Sequence, residues 1–270
     1  MKIKPLLKKI RDFPASTNRT LHQKYPQWMG QMIGCEPIQL YLNNPQFQTL
    51  ISFNHFIEFF SKSHQSSLHL DVEAFDRHGK SLGIRALEVG RAGAKQVALA
   101  SLFPNLDEFG LYSLRMKLTP KYNAEATHLG VVNPHFMTVF VPQDGISSPQ
   151  MIHSHKIRQG WLWLPRPGKR SSAAIEDTSG LRDLRLYALN GSKSAVHCTV
   201  VVKGAAAPGG EIHRISQVLP AMGTTEFVIP FSQLQEDKIG FEYVFDRNLD
   251  HKKPILLRQT QSGIWSLNHT

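Results

Sequence analysis

The feature that most limits what this chain can become is a pattern that comes twice. From His69 to Leu114 the sequence reads as a strand, a glycine-centred turn, a second strand, a Gly/Ala-rich bend, a strand running into an F-x-x-L corner, and a further strand. From His197 the same order of features returns, with a proline at the bend. At an offset of 197 − 69 = 128, His69, Val72, Ile84, Phe103 and Leu106 fall on His197, Val200, Ile212, Phe231 and Leu234. Five identities in the 38 positions from His69 to Leu106 carry little weight alone; the order of the punctuation carries more. Asp76-Arg77-His78-Gly79 and Pro208-Gly209-Gly210 each put a residue free to take φ > 0 between two β-like runs. The recurrence predicts two similar β-domains.

The rest of the chain supports strands over helices. Leu68, Leu70, Val72 and Ala74 alternate with His69, Asp71 and Glu73, the period of a half-buried strand. Similar short runs follow at Gly83–Val89, Lys95–Ala100 and Leu111–Leu118, and again from Leu184 onward, with turn residues between them. No alternation of strand and helix argues for a parallel α/β fold. The expectation is an all-β protein of two tandem antiparallel β-sandwich (jelly-roll/Ig-like) domains, over residues 35–164 and 181–270. PRPGKRSSAAIEDTSG, from Pro165 to Gly180, has the Pro/Gly/Ser composition of a linker between them.

Residues 1–34 differ in character. Seven cations (Lys2, Lys4, Lys8, Lys9, Arg11, Arg19, Lys24) stand against Asp12, so 7 − 1 = +6 of the chain's +10 lies here. Ile3, Leu6, Leu7, Ile10 and Phe13 share one face at helical spacing, and Pro14 ends the run. This predicts a short basic helical arm that packs on the first sandwich, docks on a partner, or touches an anionic membrane surface through residues 1–14. No stretch is long and apolar enough for a transmembrane segment, and the N-terminus lacks the apolar core of a secretory signal. Cys35 and Cys198 form neither a disulfide framework nor a zinc motif, which points to a reducing, cytoplasmic setting. Cys198, inside a strand-like run, is expected to be a small core residue.

Common catalytic signatures are missing: no P-loop, no G-x-G-x-x-G after a strand, no G-x-S-x-G, H-E-x-x-H or C-x-x-C. Two local features remain. His153-Ser154-His155 would place both imidazoles on one face of a strand, where they could grip a divalent transition metal such as Fe, Cu or Zn. The spacing resembles the first half of the cupin motif, in which H-x-H precedes a glutamate; Lys156–Gly160 here bring no carboxylate. Next to it, Arg158, Arg166, Lys169 and Arg170 surround Trp161 and Trp163, and cations beside aromatic faces suit an acidic ligand.

Two functions are therefore expected. One is a non-catalytic binding or accessory protein, needing no cofactor, that meets an acidic small-molecule ligand or a protein partner at the junction of the sandwiches. The other is a metal-dependent enzyme, an oxygenase or a hydrolase, built on His153 and His155. Exposed sheet edges also fit a homodimer.

Overall fold

The computed structural model describes residues 35–55, 69–88, 93–117, 135–153, 155–158, 170–204, 210–230, 237–246 and 254–269. The expected basic arm over 1–34 lies outside them. The first half contributes β1 (Cys35–Leu42), β2 (Phe47–His55), β3 (His69–Asp76), β4 (Ser81–Glu88), β5 (Gly93–Ala98), the short helix α1 (Leu99–Leu102), β6 (Phe109–Lys117), β7 (His135–Pro142), β8 (Gln150–His153) and β9 (His155–Arg158). The second contributes β10 (Arg170–Asp177), β11 (Leu181–Asn190), β12 (Val196–Gly204), β13 (Glu211–Leu219), β14 (Gly223–Val228), β15 (Lys238–Phe245), β16 (Ile255–Thr260) and β17 (Trp265–His269). The fold is all-β, as the alternation predicts, and its strands form four sheets in which every described pairing is antiparallel.

The repeat is plain in the topology. Sheet 1 runs β4-β3-β6-β1-β9 and sheet 2 runs β5-β2-β7-β8; sheet 3 runs β13-β12-β15-β10 and sheet 4 runs β14-β11-β16-β17. Counting nine strands on from each of β1–β8 reproduces the second half in both order and pairing, and β9 alone has no counterpart among the described residues. One irregularity recurs as well. The β3–β4 ladder slips between Ala74 and Phe75, and the β12–β13 ladder slips between Val202 and Lys203, positions 202 − 74 = 128 apart. The offset is not constant, however. Glu73 pairs with Ile84, whereas Val201 pairs with Arg214, so Ile84 corresponds to Arg214 and its identity with Ile212 is not a structural equivalence. A second hairpin longer by two residues accounts for the difference.

Residues 170–177, expected to belong to a linker, instead form β10, paired along β15 with a register shift between Ala173 and Glu176. A Ser/Ala-rich segment gives no apolar period, but at a sheet edge the ladder's backbone hydrogen bonds suffice to hold a strand.

Three apolar clusters hold the sheets. The first lies between sheets 1 and 2 (Tyr41, Ile51, Phe53, Val72, Leu114 and neighbours), and the Tyr112 hydroxyl meets Thr138 Oγ1 across it at 2.6 Å. Another lies between sheets 3 and 4 (Leu186, Cys198, Val200, Phe227, Tyr243 and neighbours). The remaining cluster is shared. Of its fifteen buried residues, nine come from the first half, including Phe47, Phe109 and Phe140, and six from the second: Tyr187, Leu189, Ile255, Leu257, Trp265 and Leu267. Sheets 1 and 4 therefore bury both faces. On β1, Tyr41 enters the first cluster while Ile38, Leu40 and Leu42 enter the shared one; on β11, Leu184, Leu186 and Ala188 turn away from Tyr187 and Leu189. Each fully buried side chain of this kind contributes about 1.5–3 kcal/mol, so the halves are bound to one another by the same force that holds each together.

A second joint sits at the turns. The β3–β4 turn of the first half meets the β13–β14 turn of the second, where Thr224 N–H donates to the Arg77 carbonyl at 3.1 Å. Gly79, with φ of 86°, lies so close that an added Cβ would stand 1.8 Å from the Ala221 carbonyl oxygen.

Candidate functional site

Where the two halves meet, a cleft of about 430 Å³ opens, lined by Asn44, Gln46 and Phe47 from the first half and by Arg182, Asp183, Arg185, Tyr187, Leu257, Gln259 and Trp265 from the second. That volume lies within the usual range for small-molecule pockets.

The first-half wall is the β1–β2 turn. Asn44 Oδ1 accepts the N–H groups of Gln46 at 3.0 Å and Phe47 at 2.9 Å, so this asparagine side chain folds the turn and fixes where Phe47 enters. Phe47 packs edge-on against Trp265, with ring centroids 5.4 Å apart and planes at 74°, and both rings are almost wholly buried. They form the floor with Leu257 and Tyr187.

β11 makes the opposite wall. Asp183, Arg185 and Tyr187 alternate onto one face, as residues two apart on a strand do. Arg185 donates through Nε to Asp183 Oδ2 at 2.7 Å and lies 3.2 Å from Glu226 Oε1, which also accepts the Tyr187 hydroxyl at 2.6 Å. Partial burial works against the Arg185 charge, but the Asp183 hydrogen bond and the charges of Asp183 and Glu226 outweigh it and hold the guanidinium firmly protonated. Burial, then the Glu226 charge, raises the Tyr187 hydroxyl well above the ordinary phenol range, so it stays a neutral donor. Within this network Arg185 and Tyr187 each have a carboxylate partner.

Arg182 differs. Leu181 pairs with Thr260 and Asp183 with Gln259, which leaves Arg182 as the extra residue of a bulge. A bulge turns one side chain out of the strand's regular alternation and is a recurrent device beside binding sites. Arg182 is exposed on the cleft and forms no ion pair among the described residues. The arrangement offers one unneutralised cation, the side-chain amides of Asn44, Gln46 and Gln259, and an apolar floor.

The residues singled out in the sequence lie elsewhere or beyond description. His153 ends β8 opposite Met137 in sheet 2, and His155 opens β9 opposite Ile38 in sheet 1, so the chain changes sheets between the two histidines. Arg158 ends β9 opposite Cys35, and Arg170 opens β10 opposite Val244. Trp161, Trp163, Arg166 and Lys169 lie outside the described residues. Among the described residues no group of three or more His, Cys, Asp or Glu gathers as a metal site, and no described helix is long and apolar enough to cross a membrane. Cys198 is buried in the core between sheets 3 and 4, as its strand-like setting predicts, and burial pushes its thiol up to about 12. The cleft residues left a faint signal: Leu181, Leu184 and Leu186 break the two-residue period at Arg182, the mark of an inserted residue.

Neither a protein-family model nor a curated protein matches the chain.

Proposed function

We propose that this is a non-catalytic binding protein that takes an acidic ligand in the cleft between its two halves. The observation that carries the reading is Arg182, a cation set on a bulge, exposed to a cleft of about 430 Å³ and free of any described carboxylate partner. Two carboxylates beside this wall are engaged by the protein itself: Asp183 and Glu226 each pair with Arg185, and Glu226 also accepts the Tyr187 hydroxyl. Each carboxylate is paired with the Arg185 guanidinium, which favours its use in binding over its use as a free base. An anion entering the cleft gains a charge-assisted hydrogen bond from Arg182 without displacing an existing ion pair.

The test is a thermal-shift panel of small carboxylates and phosphates, each with an uncharged analogue, run on the wild-type protein and on Arg182→Gln. At least one anion is expected to raise the melting temperature of the wild type and not of the variant, since a ligand that binds only the folded state stabilises it by mass action. A panel without any Arg182-dependent shift would overturn the reading. So would near-stoichiometric metal in untagged protein that disappears on substitution of His153 and His155 by alanine, an outcome that would mark a metal-dependent enzyme.

A further inference from the structure

Which acid fits follows from how the cleft divides its polar groups. Its aromatic floor is closed: Phe47 is 2% and Trp265 9% exposed, and each ring packs its edge or face against the other. No open aromatic face is offered for stacking, so a flat aromatic acid or a nucleobase would gain little from it. The rim, by contrast, mixes donors with acceptors. Both Arg185 contacts to Asp183 fall on Oδ2, leaving Oδ1 without a described donor. Gln259 reaches Gly263 only at 3.5 Å through Nε2, and its carbonyl oxygen accepts no described hydrogen bond. Asn44 spends Oδ1 on its own turn and keeps Nδ2, and the Gln46 side chain makes no described hydrogen bond. A ligand bonded to all of these would donate to Asp183 and the Gln259 carbonyl, accept from the Asn44 and Gln46 amides, and carry a negative charge for Arg182. Sugar hydroxyls do both at once.

We infer that the cleft binds a carboxylate-bearing saccharide, its hydroxyls bonded to Asp183, Gln259, Asn44 and Gln46 and its carboxylate held by Arg182. The inference rests on the binding reading above and specifies its ligand. Arg182 supplies the charge contact, its guanidinium matching a carboxylate in a two-pronged bond. The amides and Asp183 supply the recognition of hydroxyls.

The experiment is isothermal titration of the full chain with oligogalacturonate, alginate and hyaluronan oligomers. Methyl-esterified oligogalacturonate serves as the uncharged match, and tricarballylate and naphthoate serve as acids that are not sugars. The expected result is binding of at least one acidic oligomer. Esterification and Arg182→Gln should each weaken that binding by about tenfold or more, the usual consequence of losing a hydrogen bond to a charged group. Gln46→Ala is expected to weaken it less, and Lys80→Ala, on the β3–β4 turn and not among the cleft's lining residues, to leave it unchanged. Circular dichroism and melting temperature confirm that each variant is folded. Arg182-dependent binding of tricarballylate or naphthoate with no binding of the oligomers would overturn the saccharide inference and leave the binding reading standing. Binding of the oligomers that ignores Arg182→Gln would overturn the placement in this cleft. Failure of every acid on the panel would overturn both.

Discussion

Ser147 Oγ accepts the backbone N–H of Trp265 at 2.8 Å, a hydrogen bond that spans 118 residues and ties the β7–β8 loop to the strand that floors the cleft. The same hydroxyl donates to Asp144 Oδ2, while Asp144 Oδ1 accepts the N–H groups of Ile146 at 3.1 Å and Ser147 at 2.9 Å. Asp144 thus orients Ser147, and Ser147 fixes the edge of Trp265. Ser147→Ala is expected to cost about 0.5–1.5 kcal/mol in denaturant unfolding, the net worth of one such bond, and to shift the tryptophan fluorescence of the folded state. An unchanged spectrum and an unchanged midpoint would show that the strut carries no weight.

The Asp144 carboxylate gives this strut a pH dependence. Hydrogen bonds from the Ser147 side chain, then from its backbone N–H, hold Asp144 below the usual carboxylate range. A group depressed in the folded state stabilises the protein above its unfolded value, about 3.9 for aspartate, and that stability is lost as pH falls through the lower folded value. The difference in stability between wild type and Asp144→Asn should be present at neutral pH and close progressively below about pH 4. Melting curves taken along that range check it; a difference that widens on acidification would contradict the sign.

Gly79 and Gly145 make a matched pair for testing the turn joint. Both hold positive φ, 86° and 73°, but a Cβ on Gly79 would meet the Ala221 carbonyl at 1.8 Å whereas a Cβ on Gly145 would meet nothing within 4 Å. Gly145→Ala should cost roughly 1 kcal/mol, the backbone term alone. Gly79→Ala should cost roughly 2–4 kcal/mol, because the two turns must also part. Urea unfolding of the two variants compares them directly. Equal losses would mean that the contact between the turns contributes nothing.

What the sequence disclosed and what it hid follow one physical line. Local periodicity reports which face of a strand is buried, so the strands, the turn at Gly79 and the buried Cys198 were legible. It does not report against what a strand is buried. Phe47 and Trp265 read as ordinary strand residues, and only the folded chain brings them edge to face across the boundary of the halves. The Ser/Ala run at 171–174 hid β10 because edge strands are held by backbone pairing rather than by an apolar stripe. A shared face for the histidine pair presupposes one continuous strand, whereas His153 pairs in sheet 2 and His155 in sheet 1, with no proline or glycine between them to announce the change. At Arg182 the leucine spacing carries the bulge, but a one-residue break in a period is visible as a site only once the cleft beside it is known.

The shared core makes a claim about cooperativity. Two β-domains joined by a linker would unfold separately, each with its own midpoint. Here Phe47, Phe109 and Phe140 of the first half and Tyr187, Leu257 and Trp265 of the second are buried in one cluster. Unfolding either half therefore strips the other of apolar cover on sheet 1 or sheet 4. Leu257→Ala removes a side chain only 3% exposed in that cluster, and a truncation of this kind typically costs about 2–5 kcal/mol. Scanning calorimetry is expected to show a single transition in the wild type and a single transition, at lower temperature, in the variant. Phe140→Ala, on the opposite side of the same core, should shift the same transition rather than a separate one. Two resolved transitions, only one of them displaced by each substitution, would show that the halves fold independently and that the contact between them is an interface added to two finished domains.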